Sequence, residues 1–159
     1  MSRANPILII EALDEQPMQA LAKAFALRLK PQDVVTLEGD LGSGKTTFAR
    51  ALITALSPAE VEVTSPTFSL MQPYDVKLAD GSAERLWHLD LYRIEDAAEL
   101  AALGLEELWP HIALIEWPSI AAGVLPQERL NITFNFAAEG RTLAFYGNDA
   151  WRQRLKALI

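Results

Sequence analysis

DVVTLE at Asp33 to Glu38, followed directly by GDLGSGKTT at Gly39 to Thr47 and FARALITAL at Phe48 to Leu56, is the stretch that decides the fold. The first segment is short, apolar and β-branched, bounded by Pro31 and Gly39, which suits a strand buried in a sheet. Phe48, Leu52 and Leu56 recur at four-residue spacing, one face of a helix. Between them, Gly39-Asp40-Leu41-Gly42-Ser43-Gly44-Lys45-Thr46 fits G-x-x-x-x-G-K-[ST] in full. Glycines let successive backbone N–H groups turn inward on phosphate oxygens without a Cβ in the way, and the following helix presents its positive end. Lys45 can reach β- and γ-phosphates, the Thr46 hydroxyl can ligate magnesium, and Thr47 can add a contact to the α-phosphate. With Gly at about 7%, Lys at roughly 6% and Ser plus Thr at about 12%, a chain of this length meets the pattern by chance about 0.005 times. The expectation is a strand, a phosphate-cradling loop and a helix.

Working outward, Met18, Leu21, Phe25 and Leu29 predict a helix over Asp14 to Lys30, with Asp14 as N-cap and Pro31 as its end. Val61 to Val63 and Phe68 to Tyr74 read as strands, and Asp80-Gly81 supplies a turn before a further strand, Arg85 to Leu91. Glu95 to Leu108 has helix composition interrupted at Gly104, and Pro110 precedes the apolar strand His111 to Trp117. Arg129 to Phe136 and Arg141 to Tyr146 alternate across Glu139-Gly140 as a hairpin, and Trp151, Leu155 and Leu158 share a final helical face. The early alternation of strand and helix predicts an α/β fold with a central sheet.

The chain has 159 residues, 50% hydrophobic and 22% charged, which suits one domain, 1–159, with a substantial core. Zero cysteines exclude a disulfide framework, a thiol nucleophile and a cysteine zinc site. Fourteen basic against twenty-one acidic residues leave a net charge of -7, the wrong sign for bulk attraction to nucleic acid or anionic lipid. A role near RNA then needs a local patch or a partner. Apolar runs such as Ile7 to Ile10 and Ile112 to Ile115 are far short of a membrane span, and Met1 to Glu15 lacks the pattern of a secretory signal. A soluble, cytoplasmic protein is expected.

A nucleoside triphosphate site needs a carboxylate on the metal side, usually at the end of an apolar strand beside the loop strand. Ile112-Ala113-Leu114-Ile115-Glu116 and Leu86-Trp87-His88-Leu89-Asp90 both qualify, and the cleaner apolar run favours Glu116. His88 reads as a core histidine, and Trp117 as packing that could extend to the nucleotide. Thr64 to Phe68 has the composition of a polar turn and also of a switch that senses magnesium or γ-phosphate. Arg50, Arg85 and Arg93 are scattered singles, so no arginine in the chain stands out as a phosphate-clamping finger.

GDLGSGKTTFAR, VTSPTFSL, HLDLYR, ALGLEEL and LIEWP, in this order, resemble the TsaE (formerly YjeE) family of small bacterial P-loop ATPases, over about Leu13 to Tyr146. The resemblance implies a single-domain P-loop NTPase-like fold with a mixed central sheet flanked by helices. It implies an ATPase subunit that acts with the proteins TsaD and TsaB in placing N6-threonylcarbamoyladenosine next to the anticodon of tRNAs reading codons that begin with A. Contact with tRNA would come only through that complex. By motif match, Leu41, Gly42, Ser43, Gly44, Lys45 and Thr46 carry the phosphates of ATP, and Thr46 and Glu116 hold Mg2+. Asp90, Thr67 and Trp117 are needed for turnover along with Lys45, and the adenine side falls near Glu15 and Gly140. Two other classes share the loop: a small-molecule kinase, whose clustered lid arginines have no counterpart in Asp75 to Glu84 or Pro118 to Glu128, and a nucleotide-timed switch.

Overall fold

A computed structural model describes residues 5–64 and 70–158, with the backbone alone at 12 and 13. Seven strands form one sheet: β1 (Leu8–Leu13), β2 (Val34–Gly39), β3 (Met71–Lys77), β4 (Ala83–Asp90), β5 (Ile112–Glu116), β6 (Leu130–Phe136) and β7 (Arg141–Tyr146). Their spatial order is β1-β7-β6-β2-β5-β4-β3. The phosphate-loop strand β2 lies at the centre, parallel to both β5 and β6, and β4 is parallel to β5. The hairpins β3–β4 and β6–β7 and the pairing of β1 with β7 are antiparallel, so the sheet is mixed.

The parallel centre is buried on both faces, as continuous apolar strands require. Val35, Leu37, Ile112 and Leu114 face a core built with Phe25, Phe48, Leu52 and Trp151. Val34, Ala113 and Ile115, one residue out of phase, face a second core with Leu89, Leu100, Leu105 and Leu108. The first core is covered by α1 (Glu15–Ala26) and α2 (Lys45–Leu56); the second by α3 (Ala97–Ala102) and a 3₁₀ turn at Leu105–Leu108. Gly104, at φ 63°, separates those last two where the helix was expected to break. The C-terminal helix α4 (Asp149–Leu155) is capped by Asn148, whose side chain accepts from the Trp151 N–H at 3.0 Å. Arg154 forks onto Asp33 at 2.7 and 2.8 Å and so ties α4 to the start of β2.

Two local expectations change. Val61 to Val63 is not a strand: Val63 packs into the first core, and its carbonyl accepts from Arg50 Nε at 3.0 Å rather than from a neighbouring strand. The first helix ends at Ala26, before Pro31, because the N–H groups of Arg28 and Leu29 turn back three residues to Phe25 and Ala26. Asp14 holds the N-cap position with extended backbone, but its side chain makes no capping bond. The expected strand from Phe68 is described only from Met71, and Phe68 itself lies outside the described residues.

Candidate nucleotide-binding site

The loop between β2 and α2 opens on a cavity of about 390 Å³. Its wall combines the loop residues Leu41 to Thr47, the start of α1 at Asp14, Glu15 and Met18, the strand ends at Asp90, Glu116 and Trp117, and Arg141. The cavity lies beyond the C-terminal ends of β2, β4 and β5, where open α/β sheets place their ligands. Backbone conformation demands one glycine here and packing demands another. Gly44 adopts φ 105°, and a Cβ there would lie 2.7 Å from Met18 Sδ. A Cβ on Gly39 would lie 2.5 Å from the Phe134 carbonyl of β6.

Lys45 opens α2 and is buried. Its ammonium donates to the carbonyls of Gly39 and of Asp40, the latter at 3.0 Å, and lies 4.1 Å from the centre of the Trp117 ring. Burial lowers its pKa, opposed by the nearby carboxylates Glu116, Asp90 and Asp40. The next residue makes the central contact: Thr46 Oγ1 donates to Glu116 Oε1 at 2.9 Å. Glu116 is 1% exposed, and its other oxygen lies 2.6 Å from His88 Nε2. His88 is thus buried, as a core histidine would be, and also bonded to the site.

Asp90 is the register partner of Glu116 across β4 and β5. Its carboxylate accepts from the Tyr92 N–H at 3.0 Å, and burial raises its pKa. Trp117 follows Glu116 in a left-handed conformation, φ 56°, that a large side chain rarely takes. That turn brings its ring against Tyr92, with centroids 4.8 Å apart, and over Lys45.

Placement of the expected residues is uneven. Glu15, Leu41 to Thr47, Asp90, Glu116 and Trp117 all line the cavity. Gly140 does not; its neighbour Arg141 does, and donates through Nη2 to the Gly42 carbonyl at 3.1 Å. The pairing of Leu13 with Arg141 across β1 and β7 is what brings the Leu13-Asp14-Glu15 segment beside the Glu139-Gly140-Arg141 turn. Arg141 is absent from the arginines considered on sequence grounds, Arg50, Arg85 and Arg93, although it adjoins the Glu139-Gly140 turn. Thr67 lies outside the described residues.

The donor chemistry suits magnesium, which takes one or two protein oxygens and fills its octahedron with water and phosphate. Thr46 and Glu116 supply two hard oxygens converging at the start of the phosphate-loop helix. Among the described residues there is no cluster of three or more His, Cys, Asp or Glu side chains that would make an all-protein metal cage.

A family profile described as threonylcarbamoyl adenosine biosynthesis protein TsaE matches residues 12–143. The tRNA threonylcarbamoyladenosine biosynthesis protein TsaE of Bacillus subtilis strain 168 is 40% identical over 129 residues, which cover 80% of this chain and 77% of that protein. The protein of the same name from Borreliella burgdorferi is 35% identical over 144 residues, covering 88% of this chain and 100% of its own. The crystal structure of Bacillus subtilis YdiB is similar with a TM-score of 0.74 at 30% identity, covering 95% of this chain and 93% of that one.

Proposed function

We propose, on the premise that this chain belongs to the TsaE family of threonylcarbamoyl adenosine biosynthesis proteins, that it binds and hydrolyses ATP with magnesium as the ATPase subunit of that tRNA modification system. The observation that carries the reading is the 2.9 Å contact between Thr46 and Glu116 at the mouth of a complete phosphate loop. The loop's backbone N–H groups and the N-terminal end of α2 hold the phosphates, and Lys45 exchanges its carbonyl partners for β- and γ-oxygens. Thr46 and Glu116 would hold the metal, which when bound would neutralise charge on the phosphate oxygens. Asp90, buried at the next strand end, accepts a hydrogen bond from the attacking water and aims it. Trp117 and Tyr92 exclude bulk water from one side of Lys45.

The partners in this reading are TsaD and TsaB, with tRNA met only through them, because a net charge of -7 disfavours free RNA. The setting is the cytoplasm, where tRNA modification takes place. No described helix is long and apolar enough to cross a membrane.

The test is steady-state phosphate release by the protein alone, with tRNA alone, and with the purified TsaD–TsaB pair. Slow turnover alone, little change with tRNA and acceleration by the pair are expected, with Glu116→Ala silent in all three. Fast turnover by the isolated chain, or indifference to the pair, would defeat the proposed division of labour.

A further inference from the structure

Glu116 uses its two carboxylate oxygens on two different elements. Oε1 faces Thr46 on α2 at 2.9 Å, and Oε2 faces His88 Nε2 on β4 at 2.6 Å. His88 is fully buried, and its other ring nitrogen, Nδ1, has no hydrogen-bond partner among the described residues. Among the described residues the imidazole bonds Glu116 alone, with Nε2–H donating to a carboxylate that can only accept. Parallel pairing sets this up: His88 lies opposite Leu114 and Asp90 opposite Glu116, so His88 and Asp90 project from the same face of β4, two residues apart.

A carboxylate held at one oxygen cannot rotate its other oxygen away from a metal or swing to bind it with both. Glu116 sits at a strand end, where its side chain has rotatable bonds and the buried Lys45 ammonium attracts its charge. We propose that His88 is a positioning residue for magnesium. It pins Oε2 of Glu116 so that Oε1 is presented beside the Thr46 hydroxyl in a single orientation. This rests on the reading of the loop as a magnesium nucleotide site, and it gives a buried histidine, otherwise explained by packing, a part in metal affinity.

The test uses Mn2+ as the probe, titrated by electron paramagnetic resonance into protein saturated with ADP, alongside calorimetry of ADP binding in EDTA. His88→Gln places an amide N–H near the position of Nε2, and His88→Leu fills the volume without a donor. Mn2+ affinity is expected to fall about 10- to 100-fold in the Leu variant and to stay within a few-fold of the native protein in the Gln variant. ADP affinity in EDTA is expected to be the same in all three. If the Leu variant does not fold, His88→Asn, whose amide stops short of Glu116, replaces it with the same expectation. Native Mn2+ affinity without the donor, or equal loss in the Gln variant, overturns the role of His88. Failure of the native protein to bind ADP at all overturns the nucleotide-site reading instead.

Discussion

Arg141 Nη2 donates to the carbonyl of Gly42 at 3.1 Å, so the first residue of β7 clasps the apex of a loop 99 positions earlier in the chain. The same guanidinium lies 4.8 Å from the centre of the Phe136 ring, and its Nε is buried without a partner among the described residues. A cation held by one loop carbonyl and one ring face keeps the Gly42 region in its inward-turned shape and has donors to spare for an anion. Arg141→Ala should weaken ADP binding about tenfold, the scale of one lost hydrogen bond to a charged group, roughly 1.5 kcal/mol. Arg141→Lys should recover only part of this, because an ammonium cannot reproduce the planar fork. Calorimetry measures both; ADP affinity unchanged in the Ala variant would reduce the contact to a surface detail.

Lys45 is buried with its ammonium on two loop carbonyls, and burial works against its charge. Its replacement by Ala should remove the preference for ATP over ADP and cut turnover on the order of 10²-fold, since the one cation in reach of the γ-oxygens from α2 is gone. The backbone cradle survives, so ADP should still bind. Comparison of ATP and ADP affinities in the two proteins decides the matter, and retained discrimination would count against the assignment.

Asp90 makes stability depend on pH in a direction that can be worked out. Burial raises its folded-state pKa above the ordinary 3.8. Below that ordinary value the group is protonated whether folded or unfolded, and its neutral form suits the buried site. As pH rises through the raised native value, the folded chain holds a proton that the unfolded chain has already released, so stability falls. At neutral pH the ionised carboxylate is a net cost to the metal-free fold. Asp90→Asn should therefore melt at a higher temperature than the native protein at pH 7 in EDTA, with the gap closing as pH falls below the ordinary carboxylate range. The same variant should hydrolyse ATP poorly, a trade of activity for stability. Thermal melts across pH check this, and a pH-independent difference would show that the effect is not electrostatic.

Gly44→Ala places a methyl group 2.7 Å from Met18 Sδ at a φ of 105°. Backbone strain costs about 1–3 kcal/mol, and the end of the Met18 side chain must move aside. Lower stability and loss of nucleotide binding together are expected from urea unfolding and calorimetry. Normal stability in the variant would mean that the left-handed backbone at Gly44 tolerates a side chain.

Much of this architecture is local and therefore readable. The strand, loop and helix from Asp33 to Leu56 are specified by an apolar β-branched run, by glycines and by four-residue spacing, all of which act within a few residues of themselves. The break at Gly104 and the turn at Glu139-Gly140 are punctuation of the same kind. Val61 to Val63 misled because a short apolar alternation reports burial, whereas strand formation requires a partner, and the Val63 carbonyl found the Arg50 side chain instead.

What the sequence by itself determined is the phosphate loop with its flanking strand and helix, and the candidate acids Glu116 and Asp90, because each sits at the end of its own apolar run. Only tertiary structure decided that β4 and β5 run parallel in a register that sets Asp90 beside Glu116, and that one oxygen of Glu116 goes to Thr46 and the other to His88. It also decided that Arg141 reaches the loop. Those outcomes depend on pairing between segments tens of residues apart, where strand order and register set the geometry. No periodicity within a single segment encodes which distant side chain will stand opposite.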